Sequence, residues 1–464
     1  MTAAELQERA SGRDIAGPAG WLGLGLVLAS SLALGANRPA SWVFVSAGLL
    51  VLLAAQLLVS RGAARRPLLP AALFLGALAW GWLQTVPGLL PAAWMHPLWS
   101  GLGEAGIAPL GGPTVSADPS QGQHRVLRLA AYGAVFWLVA AAAMEARRAR
   151  AMLGAVAVFS TALAAYGLYT RASGVNPILG EDLTREGILQ ASFVNRNSYA
   201  TYAAFGVIAN LAMVAGRVPG PLPEEARRRL RTLIEAFVSG GWVFVLGAFV
   251  CLGALVLTQS RGGAMSLAAG LAVFVAAYRS GAGLPGKLLA GLVLALVAVV
   301  GVTMSSGLAG RLLATTEESL RFAVYPEILV QVLERPLLGH GLGAFHEVFR
   351  ARVPYEAAIA EWDLGHSAWL ETLHALGVPA ALALFAAVAL IGWRVLRGAQ
   401  LRRRNRELPA AALAVAAVAA VHSLVDFSLQ MPACAMLFAA LLAIGWAQSE
   451  PTRMRRPEMD GSAP

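Results

Sequence analysis

About a dozen runs of roughly 20 apolar residues, separated by arginine, proline or polar stretches, constrain this chain more than any other feature, because a helix of that length crosses the ~30 Å hydrocarbon core of a bilayer. The runs fall near 20–36, 40–58, 67–87, 126–144, 151–170, 197–215, 239–258, 262–278, 287–305, 374–396, 408–427 and 430–448. Backbone groups inside lipid must bond within their own segment, so each run reads as a helix. With 57% hydrophobic and 13% charged residues among 464, the chain has too little polar surface for a soluble globule of its size. The expected fold class is an all-α polytopic membrane protein of about 12 transmembrane helices, with a large outward-facing loop between the ninth and tenth spans.

Arginine placement sets the expected orientation, since basic loops stay on the cytoplasmic side. Arg61, Arg65 and Arg66, Arg147, Arg148 and Arg150, Arg227 to Arg229 with Arg231, Arg402 to Arg404 with Arg406, and Arg453, Arg455 and Arg456 all fall on one side if the N-terminus is inside. The opposite loop, 306–366, holds Glu317, Glu318, Glu327, Glu334, Glu347, Glu356, Glu361 and Asp363. This divides the chain into a cytoplasmic tail (1–19), one membrane domain (20–448) containing the 306–366 loop, and a basic cytoplasmic tail (449–464). The first 20 residues have no apolar core and read as no cleavable signal; the first span would serve as an uncleaved anchor. The net charge of +10 suits orientation and anionic headgroups, and nothing argues for nucleic acid. Cys251 and Cys434 lie inside expected spans without metal-ligand spacing, so neither zinc nor a disulfide is expected.

Three outward insertions interrupt the spans. The first, 88–125, carries Trp94 and Trp99 among prolines and reads as an interfacial segment. The second, 171–196, ends in SFVNRNSYATY. The third, 306–366, is too long for a bare connection. In it, Leu320, Val324, Ile328, Leu329 and Val332 have helical spacing, an amphipathic helix fit to lie on a membrane, with Pro326 at a kink or first turn. Four of the seven histidines, His340, His346, His366 and His374, lie between Arg335 and Ala380, which makes a general base or ligand site the first suspicion there.

Five segments, LALGANRP, FVNRNSYATY, TQSRGGAMS, RFAVY with RPLLGHGLGAF, and GHSAWLETLHALG followed by HSLVDFSLQMP, resemble in kind and order the O-antigen ligase and polysaccharide polymerase family, membrane glycosyltransferases of the bacterial inner membrane. The resemblance implies a periplasmic-face site, an undecaprenyl-pyrophosphate-linked glycan as donor, and a hydroxyl of a glycan, lipid A-core or other acceptor. It makes His366, at a helix start and followed by Ser367 and Gly377, the catalytic base. It assigns Arg261 and Arg321 to the pyrophosphate, with Arg196 a plausible third. The family pattern usually continues to Gly, Thr or Tyr where this chain has Ala380, and commonly has Trp where this chain has Tyr325.

The residue types suit that chemistry on their own terms. A histidine takes an acceptor proton near neutral pH, and an arginine fork meets phosphate oxygens bidentately, so no metal or other cofactor is required. Asn195, Asn197, Glu371, His374, His422 and Asp426 are supporting candidates. His374 follows His366 by about two turns, His422 and Asp426 can pair at i and i+4, and His340 reads as a turn residue. Interfacial anchoring is the plain alternative for Arg261 and Arg321. A transporter of a small anion or sugar is the rival function. It would place ionisable groups near the midplane, whereas Arg196, Arg261, Arg321, His366, His422 and Asp426 all map to one face. Ligase, polymerase and protein-glycosylating transferase are not separated by these residues.

Overall fold

The computed structural model describes residues 15–59, 67–106, 111–178, 180, 187–218, 225–279, 291, 317–358, 361–402 and 404–450. Among the described residues the secondary structure is helical, with no strand. The principal helices are α1 (Ala16–Leu32), α2 (Pro39–Val59), α3 (Leu68–Leu83), α4 (Pro119–Ala142), α5 (Ala146–Ser173), α6 (Arg196–Ala215), α7 (Ala226–Ala236), α8 (Trp242–Leu257), α9 (Arg261–Arg279), α10 (Glu317–Glu334), α11 (Ala368–Leu401), α12 (Glu407–His422) and α13 (Pro432–Ala447).

Seven helical stretches among the described residues are long and apolar enough to cross a membrane: α2, α4, α5, α6, Arg227–Leu257, Arg261–Tyr278 and α11. Four shorter apolar helices, α1, α3, α12 and α13, join them. Eleven of the expected spans thus have a helix. The expected ninth span, 287–305, apart from residue 291, the first part of the 306–366 loop, residues 1–14, Arg61, Arg65, Arg66, Arg403 and the tail from 451 lie outside the described residues.

Among the described residues the membrane helices alternate in direction from α1 to α9 and again from α11 to α13, while α9 and α11 run the same way. One end of the bundle gathers the starts of α4, α6, α9, α11 and α13 with the ends of α3, α8 and α12; the other gathers their opposite termini. At that second end, Gln448 donates to Ala143 O (2.6 Å), Arg402 to Glu450 O (3.0 Å) and Tyr278 to Ala215 O (3.1 Å). Two helices form the interior: α6 is 94% buried over its apolar window, against 28% for α2 and α11, and every residue of α13 except Phe438 is buried. Small residues permit this closeness where lipid offers little hydrophobic drive to associate. A Cβ on Gly445 of α13 would stand 2.2 Å from the Ala412 Cβ of α12, and one on Gly270 of α9 2.5 Å from Val418.

The loop helix α10 differs from expectation in one respect. Leu320, Val324 and Ile328 pack into a small core with Phe345, Phe349, Ala357 and Trp362, so this part of the stripe is covered by the loop's own residues, and Val332 is buried as well. Leu329 points the other way and is exposed. Pro326 sits inside the helix.

Candidate active site

At the α6/α9/α12 end of the bundle, five chain segments meet. The FVNRNSY segment turns into α6 because Asn195 caps it, its side-chain oxygen accepting from the N–H groups of Asn197 (2.7 Å) and Ser198 (3.1 Å). That leaves Asn197 free to donate to Asp426 Oδ1 (3.3 Å). Arg196 occupies the first position of the helix. The TQSRGG segment turns in the same way into α9, Ser260 Oγ accepting from Gly263 N–H (3.1 Å), with Arg261 first in the helix. Gly262 lets this helix start lie on α12: an added Cβ would be 3.0 Å from His422 Nε2.

Helix α12 stops at His422, and the turn that follows carries Asp426 outside the helix. The expected i, i+4 pair is therefore replaced by separate partners. His422 Nδ1 lies 2.5 Å from Thr201 Oγ1, and Asp426 accepts from Asn197 and from the Ser428 hydroxyl. The same turn receives α10 and the His366 segment. Arg321 donates to Val425 O (2.9 Å), and its buried Nε has no hydrogen-bond partner, so the guanidinium retains donor capacity. Tyr325 Oη lies 3.0 Å from His366 O and 3.4 Å from Leu424 O. Burial pushes the Tyr325 phenol up to about 12, keeping it a donor at neutral pH.

His366 stands directly before α11 with φ 52°, a left-handed conformation rare for a residue with a side chain. Three contacts impose it. Glu371 Oε2 accepts from Gly365 N–H (2.7 Å), Ser367 caps α11 through Leu370 N–H (3.4 Å), and Ala368 N–H donates to Ser423 O (3.0 Å). The imidazole lies edge-to-face with Trp362 and Phe427, their ring centroids 5.3 and 4.9 Å away. Glu371, wholly inside the protein, is flanked by Arg125 and Gln430, themselves joined at 3.2 Å. His366, Arg321, Asn197, Asp426 and His422 are thus brought together around one turn, with the first residues of α6 and α9 beside them.

His374 has other partners. Its Nε2 bonds Gln331 Oε1 (3.0 Å) and its ring stacks on His340, centroids 4.4 Å apart. His340 lies between turn glycines as expected, yet its ring is buried, with Nδ1 2.9 Å from His96 Nε2 and Nε2 2.9 Å from Gln331 O. Leu98 N–H donates to His96 Nδ1 (3.1 Å), which puts the His96 proton on Nε2; the chain of bonds then requires neutral rings at His96 and His340. Burial pushes His96 down to about 3, with His340 and Arg335 adding to the effect, and burial also lowers His340. Arg335 secures the same junction by donating to Trp94 O (2.7 Å), Met95 O (3.3 Å) and Gly339 O (3.0 Å). The first insertion is therefore more than an interfacial belt. Sequence reasoning missed His96; its signal was a histidine in a second loop on the face that already held four.

Residues 246–386 match the family described as O-antigen ligase. No curated protein matches the chain. The matched stretch runs from within α8 through Arg261, Arg321, Tyr325 and His366 into α11, and over it the chain is O-antigen ligase-like. Asn195 to Asn197, His422 and Asp426 lie outside it.

Proposed function

We propose that the protein is a multi-pass glycosyltransferase of the bacterial cytoplasmic membrane. It transfers or polymerises glycan from an undecaprenyl-pyrophosphate donor onto an acceptor hydroxyl at the periplasmic face. The observation carrying this reading is the convergence of His366, Arg321 and the Arg196 and Arg261 helix starts on the 422–428 turn. Helix starts favour anions through their unpaired N–H groups and dipole. An arginine in the first turn is disfavoured by that dipole, so two such arginines at one end suit a phosphate ligand.

In the proposed step a ring nitrogen of His366 takes the acceptor proton while the acceptor oxygen bonds the anomeric carbon. The bond from that carbon to the pyrophosphate oxygen breaks, inverting the carbon, and the electron pair leaves with undecaprenyl pyrophosphate. Arg321 and Arg261, with Arg196 beside them, stabilise the charge that grows there. Asn197 and Asp426 hold the turn, and Glu371 holds the Gly365 N–H that precedes His366. Twelve spans with both termini cytoplasmic accord with α9 ending at the far end of the bundle and α10 lying at the site end. The gathering of ionisable groups at one end, instead of at the midplane, speaks against a transporter.

The test is glycan transfer in reconstituted membranes containing EDTA, comparing wild type with His366→Ala, Arg261→Ala and Arg321→Ala. Loss of a base should reduce transfer by about 10² to 10⁴. Full activity in His366→Ala would move the base elsewhere, and solute accumulation without transfer would favour the transporter.

A further inference from the structure

At the end of the bundle away from His366, α7 (Ala226–Ala236) packs substantially against nothing among the described residues except the turn Phe237–Gly241 that follows it. Its sequence, ARRRLRTLIEA, is divided lengthwise. Leu230, Ile234 and Phe237 form one apolar row, each more than half exposed, while Arg228 and Arg231 have 77% and 81% of their side chains exposed and pair along the helix with Glu225 (2.9 Å) and Glu235 (2.7 Å). A row at i, i+4 and i+7 left bare by the described residues is the mark of an interfacial helix.

The turn makes α7 a separate element instead of an extension of α8. Ser239 and Gly240 leave helical geometry, Gly240 at φ 98°. Immediately beyond, α8 shows Trp242, Leu246 and Phe249 outward, as a lipid-facing helix does. The apolar row of α7 is thus continuous with the lipid surface of α8 at the level where a bilayer would end. Charge identifies what the other face meets. Four arginines, Arg227 to Arg229 and Arg231, stand against Glu225 and Glu235, leaving a charge of +2 on the segment. Three of the four occupy the first turn, where the helix dipole opposes them and an anionic surface supplies the missing sign. Arg147, Arg217 and Arg404 lie at the same end of the bundle.

We propose that α7 is an anchor for the anionic phospholipid surface, with Leu230, Ile234 and Phe237 among the acyl chains and its arginines against lipid phosphates. The reading is independent of the transferase assignment. Each arginine beside an anionic surface strengthens attachment by about fivefold, so reversing several should release the helix.

The full chain, spin-labelled at Leu230→Cys or Ile234→Cys, tests this in vesicles, since Cys251 and Cys434 are buried and the two new positions are exposed. In phosphatidylglycerol-containing vesicles the label should be open to oxygen and shielded from an aqueous nickel complex. It should move toward water in pure phosphatidylcholine, or when Arg227→Glu, Arg228→Glu and Arg231→Glu are combined. A water-exposed label in anionic vesicles would overturn the proposal. So would a label shielded from both reagents, which indicates a protein partner, or equal shielding in all three conditions, which indicates apolar docking without headgroup recognition.

Discussion

His366 concentrates the residue-scale physics. A non-glycine residue at φ 52° carries about 1–2 kcal/mol of backbone strain, which persists because Glu371, Ser367 and Tyr325 over-determine the turn around it. Strain of this kind can be relieved without restoring function. His366→Gly and His366→Ala should both lose transfer, yet the glycine variant should be the more stable by about 1 kcal/mol, because glycine enters this region without penalty. Thermal unfolding of the two in detergent checks the order, and a more stable alanine variant would mean that residue 366 is not left-handed in solution. Tyr325→Phe removes the hydroxyl that donates to the His366 carbonyl. Removing a single hydroxyl donor should cost about 1 kcal/mol of stability and lower the rate of transfer, since His366 loses a constraint while the arginines proposed to bind the donor keep theirs.

At the scale of elements, α11 is two helices joined at Gly377, whose φ 74° and ψ 164° only glycine adopts comfortably. Pro379 contributes to the break by offering no N–H to Ala375 O. The exposed carbonyls find partners in other segments. His340 N–H bonds His374 O (2.9 Å), Gly341 N–H bonds Ala375 O (2.9 Å), and Trp80 Nε1 bonds Leu376 O (2.9 Å). Gln84 Nε2 lies 3.0 Å from Ala375 O as well, and Val378 N–H donates to Pro336 O (2.7 Å). Gly377→Ala would add a Cβ 2.7 Å from Leu337 O and should destabilise by about 3 kcal/mol, read as a drop in the unfolding midpoint. The histidine junction beside this break predicts acid sensitivity. His96 titrates near 6.5 when unfolded and about 3 when folded, so it is neutral in both states above pH 6.5. Below that the unfolded chain takes up a proton the folded one refuses, and stability falls by about 1.4 kcal/mol per pH unit until pH approaches 3. Unfolding followed from pH 7 to 4 should show this loss, with a shallower slope in His96→Gln, which keeps a donor for His340. The sequence showed α11, its helix-start histidine and the turn glycines, because apolar length, Pro and Gly are local signals. It could not show that GHGLG fills the break 35 residues later in the chain, nor that His374 turns to His340, because those contacts depend on α3, α10 and the first insertion arriving at one place. The expected pairing of His422 and Asp426 on one helix fails for a related reason: apolar periodicity carries α12 past His422, where the Ser423–Phe427 turn ends it.

The whole molecule has two chemically different ends. Direction alternates from α1 to α9 and again from α11 to α13, so residues hundreds apart in sequence share an end: Asn197 with Asp426 at one, Ala143 with Gln448 at the other. At the site end Arg335 is held by three backbone carbonyls and Arg128 lies over the Trp42 ring. At the far end Arg147 and Arg231 project outward, the condition under which basic residues hold a loop in the cytoplasm. The site should therefore face the periplasm, where a lipid-linked glycan and its acceptor would meet, and α7 the cytoplasmic leaflet. Tyr355, 91% exposed in the loop beside α10, and Arg147, with 91% of its side chain exposed, report the two ends. In spheroplasts, Tyr355→Cys should react with a membrane-impermeant maleimide at once and Arg147→Cys only after permeabilisation. Equal reaction of both from outside would break the alternation on which the bundle rests. The reverse pattern would turn His366 and its arginines toward the cytoplasm, and a transferase drawing on periplasmic glycan could not then use them.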